Sequence, residues 1–339
     1  MKSRIHSTVV LTTLFAAFAL ASLARGAEAG NPFVGNWALT LPNGAAGWLG
    51  IRDEGGKLTG RILWGGGSVL PVDSVKVEGN QLIVTRNHEG QKQAGGKSAK
   101  AVTVETITAT LEGDDLKLTS RMVHPDGKET GKAEFTGKRT PPVPPAPDLS
   151  KVKFGEPISL FNGKDLTGWR LIDPKAANGW SVKDGVLNNS PVQEPGKPHK
   201  HYGNLRTDRE FEDFNLTLET NVPPASNSGV YLRGIYEVQI LDSYGKPVDS
   251  HNMGAIYSRI TPSEAAEKPA GQWQTLDITL VDRHATVILN GKKIIDNQPL
   301  EGCTGGALWS DQFRPGPIYL QGDHSGANYR NLVLRPVVK

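Results

Sequence analysis

Short runs of alternating apolar and polar residues recur from Trp37 to Val337. Successive side chains on an extended strand point to opposite faces, so such runs predict half-buried β-strands. In a first block, roughly Pro32 to Arg139, eight are expected: Trp37 to Leu41, Ala46 to Arg52, Lys57 to Trp64, Ser74 to Val77, Gln81 to Asn87, Val102 to Leu111, Asp115 to Met122 and Lys132 to Lys138. Turn signals such as Glu54-Gly55-Gly56, Glu78-Gly79-Asn80 and Glu112-Gly113-Asp114 separate them. A meander of this kind predicts a small up-and-down β-barrel or β-sandwich. Gly35-Asn36-Trp37 is similar to the opening of calycin-type barrels, and no residue set in this block demands chemistry.

A second block, Lys153 to Lys339, is also strand-rich. Gln272 to Leu280, Ala285 to Leu289 and Lys292 to Asp296 predict a strand followed by a hairpin turning at Asn290-Gly291. Ile318 to Gln321 and Tyr329 to Val337 close it, and only Pro262 to Lys268 reads as a helical turn. The expected architecture is all-β, a two-sheet sandwich with a curved, partly open face. Between the blocks, Thr140-Pro141-Pro142-Val143-Pro144-Pro145-Ala146-Pro147-Asp148 places five prolines in seven residues. Proline lacks the N–H that a sheet ladder needs, so residues 140–152 are expected to form an extended linker between two domains, 32–139 and 153–339.

Composition changes the picture at the N-terminus. Lys2 and Arg4, the apolar run from Val9 to Leu23 and the small-x-small Ala27-Glu28-Ala29 have the form of a secretory signal peptide over residues 1–29. An uncleaved N-terminal anchor is the other reading, although the apolar run is short for a span. No cysteine follows that run to make a lipobox, and no second long apolar stretch exists. Cleavage would remove three basic residues and one acidic one, lowering the net charge from +3 to about +1. So balanced a chain offers no electrostatic case for nucleic acid or an anionic membrane surface. The lone Cys303 permits no internal disulfide, which favours a bacterial periplasm or exterior for the exported protein.

The densest polar alternation lies in Asn227-Ser228-Gly229-Val230-Tyr231-Leu232-Arg233 and, after one short break, Tyr236-Glu237-Val238-Gln239-Ile240-Leu241-Asp242. Alternation places Tyr231 with Arg233 on one face, and Glu237 with Gln239 on one face. A strand that only covers a core would carry Ser, Thr or Lys on its wet side. Arg, Glu, Gln and Asp so close together describe either the floor of a sugar-binding groove or an ion-paired solvent face.

The second block resembles the 3-keto-disaccharide hydrolase domain family over about residues 155–337. The resemblance opens with Leu160-Phe161-Asn162-Gly163-Lys164-Asp165-Leu166-Thr167-Gly168-Trp169 and continues through Trp180-Ser181-Val182-Lys183-Asp184-Gly185-Val186-Leu187 and Asp213-Phe214. Asn227-Ser228-Gly229, the run from Tyr236 to Asp242, Gly254-Ala255-Ile256-Tyr257 and Gly271-Gln272-Trp273 follow in order. Leu289-Asn290-Gly291, Gly316-Pro317-Ile318-Tyr319-Leu320-Gln321 and Arg330-Asn331-Leu332 complete it. The resemblance implies a concanavalin-like jelly roll and, for characterised members, cleavage of sugars oxidised at C3. It implies no catalytic residues. A looser resemblance is to laminarinase-type glucanases, whose Glu-x-Asp-x-x-Glu strand carries a bulge that keeps the last acid in the groove. Here that spacing reads Glu237-x-Gln239-x-x-Asp242. Gln in the centre argues against ordinary retaining hydrolysis, because the central acid tunes its neighbours.

A ketone at C3 acidifies the C2 hydrogen, so cleavage by elimination needs a base, an acid for the leaving oxygen and a group to stabilise the enolate. Glu237, Asp242 and His324 are the candidate catalytic groups, His324 because its ordinary pKa suits proton transfer near neutrality. Arg233 is the candidate enolate or hydroxyl ligand, Gln239 and Gln321 would bind hydroxyls, and Tyr257 would stack on a ring or donate a proton. Each has a structural alternative: Glu237 with Arg233 as an ion pair across a tight turn, Asp242 as a loop cap, His324 as an ordinary loop histidine, and the tyrosines as sandwich packing. His199-Lys200-His201 sets two imidazoles on one side of an extended chain, and with His251 these are candidate ligands for a divalent cation. Neither a Gly-rich nucleotide loop nor a Gly-x-Ser-x-Gly or His-Glu-x-x-His motif is present. A separate 3-dehydrogenating oxidoreductase is therefore the expected pathway partner. The alternative function is non-catalytic, lectin-like carbohydrate binding.

Overall fold

Between Gly35 and Thr140 the computed structural model, which describes residues 30–89 and 102–338, has nine antiparallel strands in a meander. The expected signal peptide lies outside the described residues. Eight strands fall where the alternation placed them, and the two-residue Leu70–Pro71 is a ninth. The first, Gly35–Thr40, pairs with the last, Glu129–Thr140. The remaining edges, Leu70–Pro71 and Ser74–Glu78, are consecutive in the chain. Val72 N–H donates to Gly60 O at 3.0 Å and Asp73 N–H to Thr85 O at 2.9 Å, so the connecting residues stitch the two edges into an up-and-down barrel. Trp37, Leu39, Ile51, Ile62, Val84 and Leu118 fill it.

The second block stacks an eight-stranded sheet on a five-stranded one, a jelly-roll sandwich. Phe214–Asn221, in the larger sheet, buries every second residue. Asn227–Leu232 and Tyr236–Leu241, in the smaller, contribute Val230, Leu232, Val238 and Ile240 to the same core as Leu216 and Leu218. Burying each such side chain contributes ~1.5–3 kcal/mol, enough to fix which face of each strand points inward. Pro262 to Lys268 is not helical. Pro262 and Pro269 bracket a segment too short to close its own turns, and its N–H groups go elsewhere: Ser263 N–H to Ile294 O and Lys268 N–H to Gln274 Oε1.

Barrel and sandwich share packing. Trp48 of the barrel donates from Nε1 to Glu301 O at 3.0 Å and lies so close to Gly302 that a Cβ there would sit 2.3 Å from the indole. The Arg259 guanidinium covers the same ring at 4.4 Å. Nearby, a Cβ on Gly305 would meet Gly67 O at 2.2 Å, Gly306 N–H donates to Gly65 O, and Val69 N–H donates to Ser258 Oγ at 2.9 Å. The proline segment has no regular secondary structure and is held along the sandwich: Arg283 donates to Pro141 O and Pro142 O, and Asn297 Nδ2 to Pro147 O. Cys303 is free and buried. Among the described residues, no helix is long and apolar enough to cross a membrane.

Candidate active site

Asn227–Leu232 and Tyr236–Leu241 form a hairpin whose register runs without interruption, Asn227 opposite Leu241, Gly229 opposite Gln239, Tyr231 opposite Glu237. With Ser228, Val230, Val238 and Ile240 turned into the sandwich, Asn227, Gly229, Tyr231, Glu237 and Gln239 share the opposite face. That face floors a cavity of about 370 Å³, a size suited to a small molecule. Gln321 and the exposed His324 line it from the neighbouring strand end and loop, Tyr257 from a segment bonded alongside Glu237, and Gly305 and Gly306 from a third loop. Gly66 and Gly67 of the barrel also line it. Ser68 Oγ lies 2.9 Å from His251 Nε2, and the His251 ring meets Tyr257 edge-on at 4.9 Å, so the barrel loop and Tyr257 are braced together.

Among the described residues, Glu237 is the one carboxylic acid that lines this cavity. Gly229 makes room for it, since a Cβ there would sit 2.3 Å from Glu237 Oε1. The carboxyl is 4 % exposed and its contacts include no cation. Burial therefore pushes it up to about 8, with the Tyr231 hydroxyl pulling the other way. Tyr231 Oη lies 2.8 Å from Glu237 Oε2 and 2.7 Å from Gly305 O. A phenol has one proton to give. That one proton is shared between the Glu237 carboxyl and the Gly305 carbonyl. Burial raises Tyr231 and the stacked Tyr319, 3.8 Å away, so neither phenol acts as a base near neutrality.

Three residues lining this cavity, Asn227, Gln239 and Gln321, each carry a buried amide oxygen without a protein donor. An unmatched buried acceptor costs ~1–3 kcal/mol, so three around one cavity call for donors that the protein itself does not supply.

The structure thus gathers Glu237, Gln239, Tyr257, Gln321 and His324 but leaves Arg233 and Asp242 outside. Arg233 sits in the hairpin turn with φ 53°, a left-handed conformation that ends the strand alternation. Its guanidinium donates to Gln312 O and Arg314 O, each at 2.8 Å, and forms no ion pair with Glu237. Asp242 lies past the strand end, and its Oδ2 accepts the Ala225 N–H at 2.9 Å. The bulge that would return it to the groove is absent from the uninterrupted register, so it caps a loop. Asn227 and Tyr231 share strand parity with Gly229, and that parity is the sequence signal that marks them as cavity residues. The barrel's Gly66 and Gly67 carry no comparable signal.

The sequence profile described as a 3-keto-alpha-glucoside-1,2-lyase-like domain matches residues 156–335. A 3-keto-disaccharide hydrolase of Bacteroides thetaiotaomicron is 23 % identical over 183 residues, which are 46 % of this chain and 60 % of that protein. The chain thus spans less than two thirds of that relative. Among solved structures, a protein of Parabacteroides distasonis assigned to the glycosyl hydrolases by likeness is 30 % identical with a TM-score of 0.44, covering 59 % of this chain and 94 % of that one. A non-specific endo-β-1,3(4)-glucanase of family GH16 is 12 % identical with a TM-score of 0.35, covering 58 % and 93 %.

Proposed function

The chain belongs to the 3-keto-alpha-glucoside-1,2-lyase-like domain family, and from that premise we propose that its cavity cleaves 3-keto-glycosides such as 3-keto-disaccharides by elimination, followed by hydration. The observation that carries this reading is a buried carboxyl, Glu237, without a cation beside it, in a cavity lined by three residues whose amide oxygens lack a donor. The amide oxygens of Asn227, Gln239 and Gln321 accept from sugar hydroxyls. His324, at the mouth, takes the C2 proton, and the electron pair of that bond forms the enolate of the C3 ketone. The Tyr257 hydroxyl donates to the enolate oxygen. As the enolate collapses, C1=C2 forms, the C1–O bond breaks, and Glu237 gives its proton to the departing oxygen. Water added across the double bond restores a hexose and makes the net reaction a hydrolysis. Burial pushes the Glu237 carboxyl up to about 8, which suits it to the acid role near neutral pH.

The signal-peptide pattern of residues 1–29 supports an exported protein, periplasmic or extracellular in a bacterium. The substrate must come from an oxidoreductase that converts the C3 hydroxyl to a ketone.

The test is mass-spectrometric product analysis after incubation with 3-keto-trehalose and, separately, trehalose. Cleavage of the keto sugar alone is expected. Binding of both sugars with cleavage of neither would identify a lectin-like protein and overturn the proposal.

A further inference from the structure

We propose that His199, His201 and Asp323 form a binding site for a zinc-class divalent cation at the rim of the cavity. The His-x-His segment reads from sequence as a pair in want of an acid, and the fold supplies one from 122 residues further along the chain. Among the described residues these three form the only cluster of three such donors, with all donor atoms within 4.8 Å of one another. Asp323 Oδ2 stands 3.3 Å from His199 Nε2 and 3.3 Å from His201 Nδ1. Those separations are long for charge-assisted hydrogen bonds. They fit the edge of a tetrahedron around a metal, which is about 3.3–3.4 Å for bonds of ~2.0–2.1 Å. Both rings are exposed and meet edge-to-face at 4.9 Å, which brings the two imidazoles to one side of Asp323.

The backbone around the donors is built to hold them. Gln193 clamps Lys200 from both sides, Nε2 donating to Lys200 O at 2.8 Å and Oε1 accepting Lys200 N–H at 2.9 Å. The Lys200 ammonium lies over the Tyr202 ring at 5.1 Å, an aromatic contact that occupies the one cation between the two histidines. Asp323 Oδ1 accepts the Tyr202 N–H at 2.6 Å, which orients the carboxylate and leaves Oδ2 for the cation. Two imidazoles and one carboxylate leave a fourth position open, and imidazole donors favour zinc, nickel or copper over magnesium or calcium. His324, which lines the cavity, follows Asp323 directly. A bound cation would therefore fasten the Gly322–Ser325 loop to the 199–202 segment and position His324, without itself touching the reaction.

The test does not depend on turnover, so it stands apart from the proposed cleavage. Untagged protein is titrated with zinc by calorimetry, and amide hydrogen exchange of the Gly322–Ser325 loop is followed with and without the ion. One equivalent is expected to bind, with affinity at least tenfold weaker in Asp323→Asn and lost in the His199→Ala/His201→Ala double variant. Exchange in the loop should slow with zinc in the parent and not in the double variant. The absence of stoichiometric binding, or equal affinity in the double variant, would overturn the site. Binding without slower exchange would overturn the positioning role.

Discussion

Two glutamates are buried to almost the same depth in the two blocks, Glu105 in the barrel at 3 % exposure and Glu237 in the sandwich at 4 %. Glu105 Oε2 lies 2.9 Å from Arg86 Nη1 and 2.9 Å from His88 Nε2, so its charge is matched where it stands. Glu237 has a phenol hydroxyl for company and a cavity in front of it. Burial alone therefore does not identify a working acid. What separates the two is the missing cation together with access to a ligand, and both are properties of the fold around the residue.

The largest effect should come from Glu237→Gln. The amide keeps shape and volume but has no proton to give, and kcat/KM on a 3-keto-disaccharide should fall by about 10²–10⁴ with circular dichroism unchanged. A variant that cleaves at the parent rate would remove Glu237 from the chemistry and leave it as buried as Glu105 and no more special.

The same substitution should stabilise the protein in alkali. As pH rises past about 4.5, the unfolded chain releases the Glu237 proton, whereas the folded chain keeps it until about 8. The unfolded state then binds fewer protons, so stability contributed at acid pH is lost through this window, by on the order of a few kcal/mol. Glu237→Gln cannot lose that proton. Calorimetric Tm values at pH 5 and 9 should fall further in the parent than in the variant; parallel falls would mean that Glu237 ionises as freely as a surface carboxylate. An inactive variant that is the more stable one is the signature of a site held at a cost in stability.

On the barrel side, Arg86→Met takes away the guanidinium that stands against Glu105. Removing one partner of a buried pair costs ~3–5 kcal/mol, and about 2–3 kcal/mol is expected here because His88 remains. Urea unfolding should show the loss while kcat/KM stays within about twofold; a matching loss of activity would place Glu105 in the machinery. Gly229→Ala should do both kinds of damage at smaller scale. Its methyl would press on Glu237 Oε1, costing ~1–3 kcal/mol and about tenfold in kcat/KM. Parent-like stability and rate would show that the carboxyl has room to move.

Strand parity explains why much of the site was legible from the sequence. Alternation is local: once Val238 and Ile240 are taken as core, Glu237 and Gln239 must face the other way, and Asn227 and Tyr231 follow from the hairpin register. Eight strands of the meander, though not the two-residue Leu70–Pro71, and the Asn290-Gly291 turn were legible for the same local reason. What failed was whatever depended on departures from the local rule. Arg233 obeys strand parity on paper but stands in a left-handed turn, and its guanidinium bonds Gln312 O and Arg314 O outside the cavity. Gly66, Gly67 and Asp323 enter their clusters through docking between segments more than a hundred residues apart, which no periodicity encodes.

The smallest expected effect belongs to Asp242 and tests the comparison from the other side. If spacing decided function, Glu237 and Asp242 would be an acid pair and Asp242→Asn would be nearly as damaging as Glu237→Gln. The geometry says otherwise. The Asp242 carboxylate accepts the Ala225 N–H and so helps hold Ala225 at φ 58°, a conformation that a residue with a Cβ adopts reluctantly. Asparagine retains an acceptor oxygen for the same N–H and loses only the charge assistance, so the cost should be about 0.5–1 kcal/mol in urea unfolding. Activity should be unchanged within about twofold. A hundredfold loss of kcat/KM at parent-like stability would mean that Asp242 reaches the cavity during turnover, and that the strand opens a bulge which the uninterrupted register at rest does not contain.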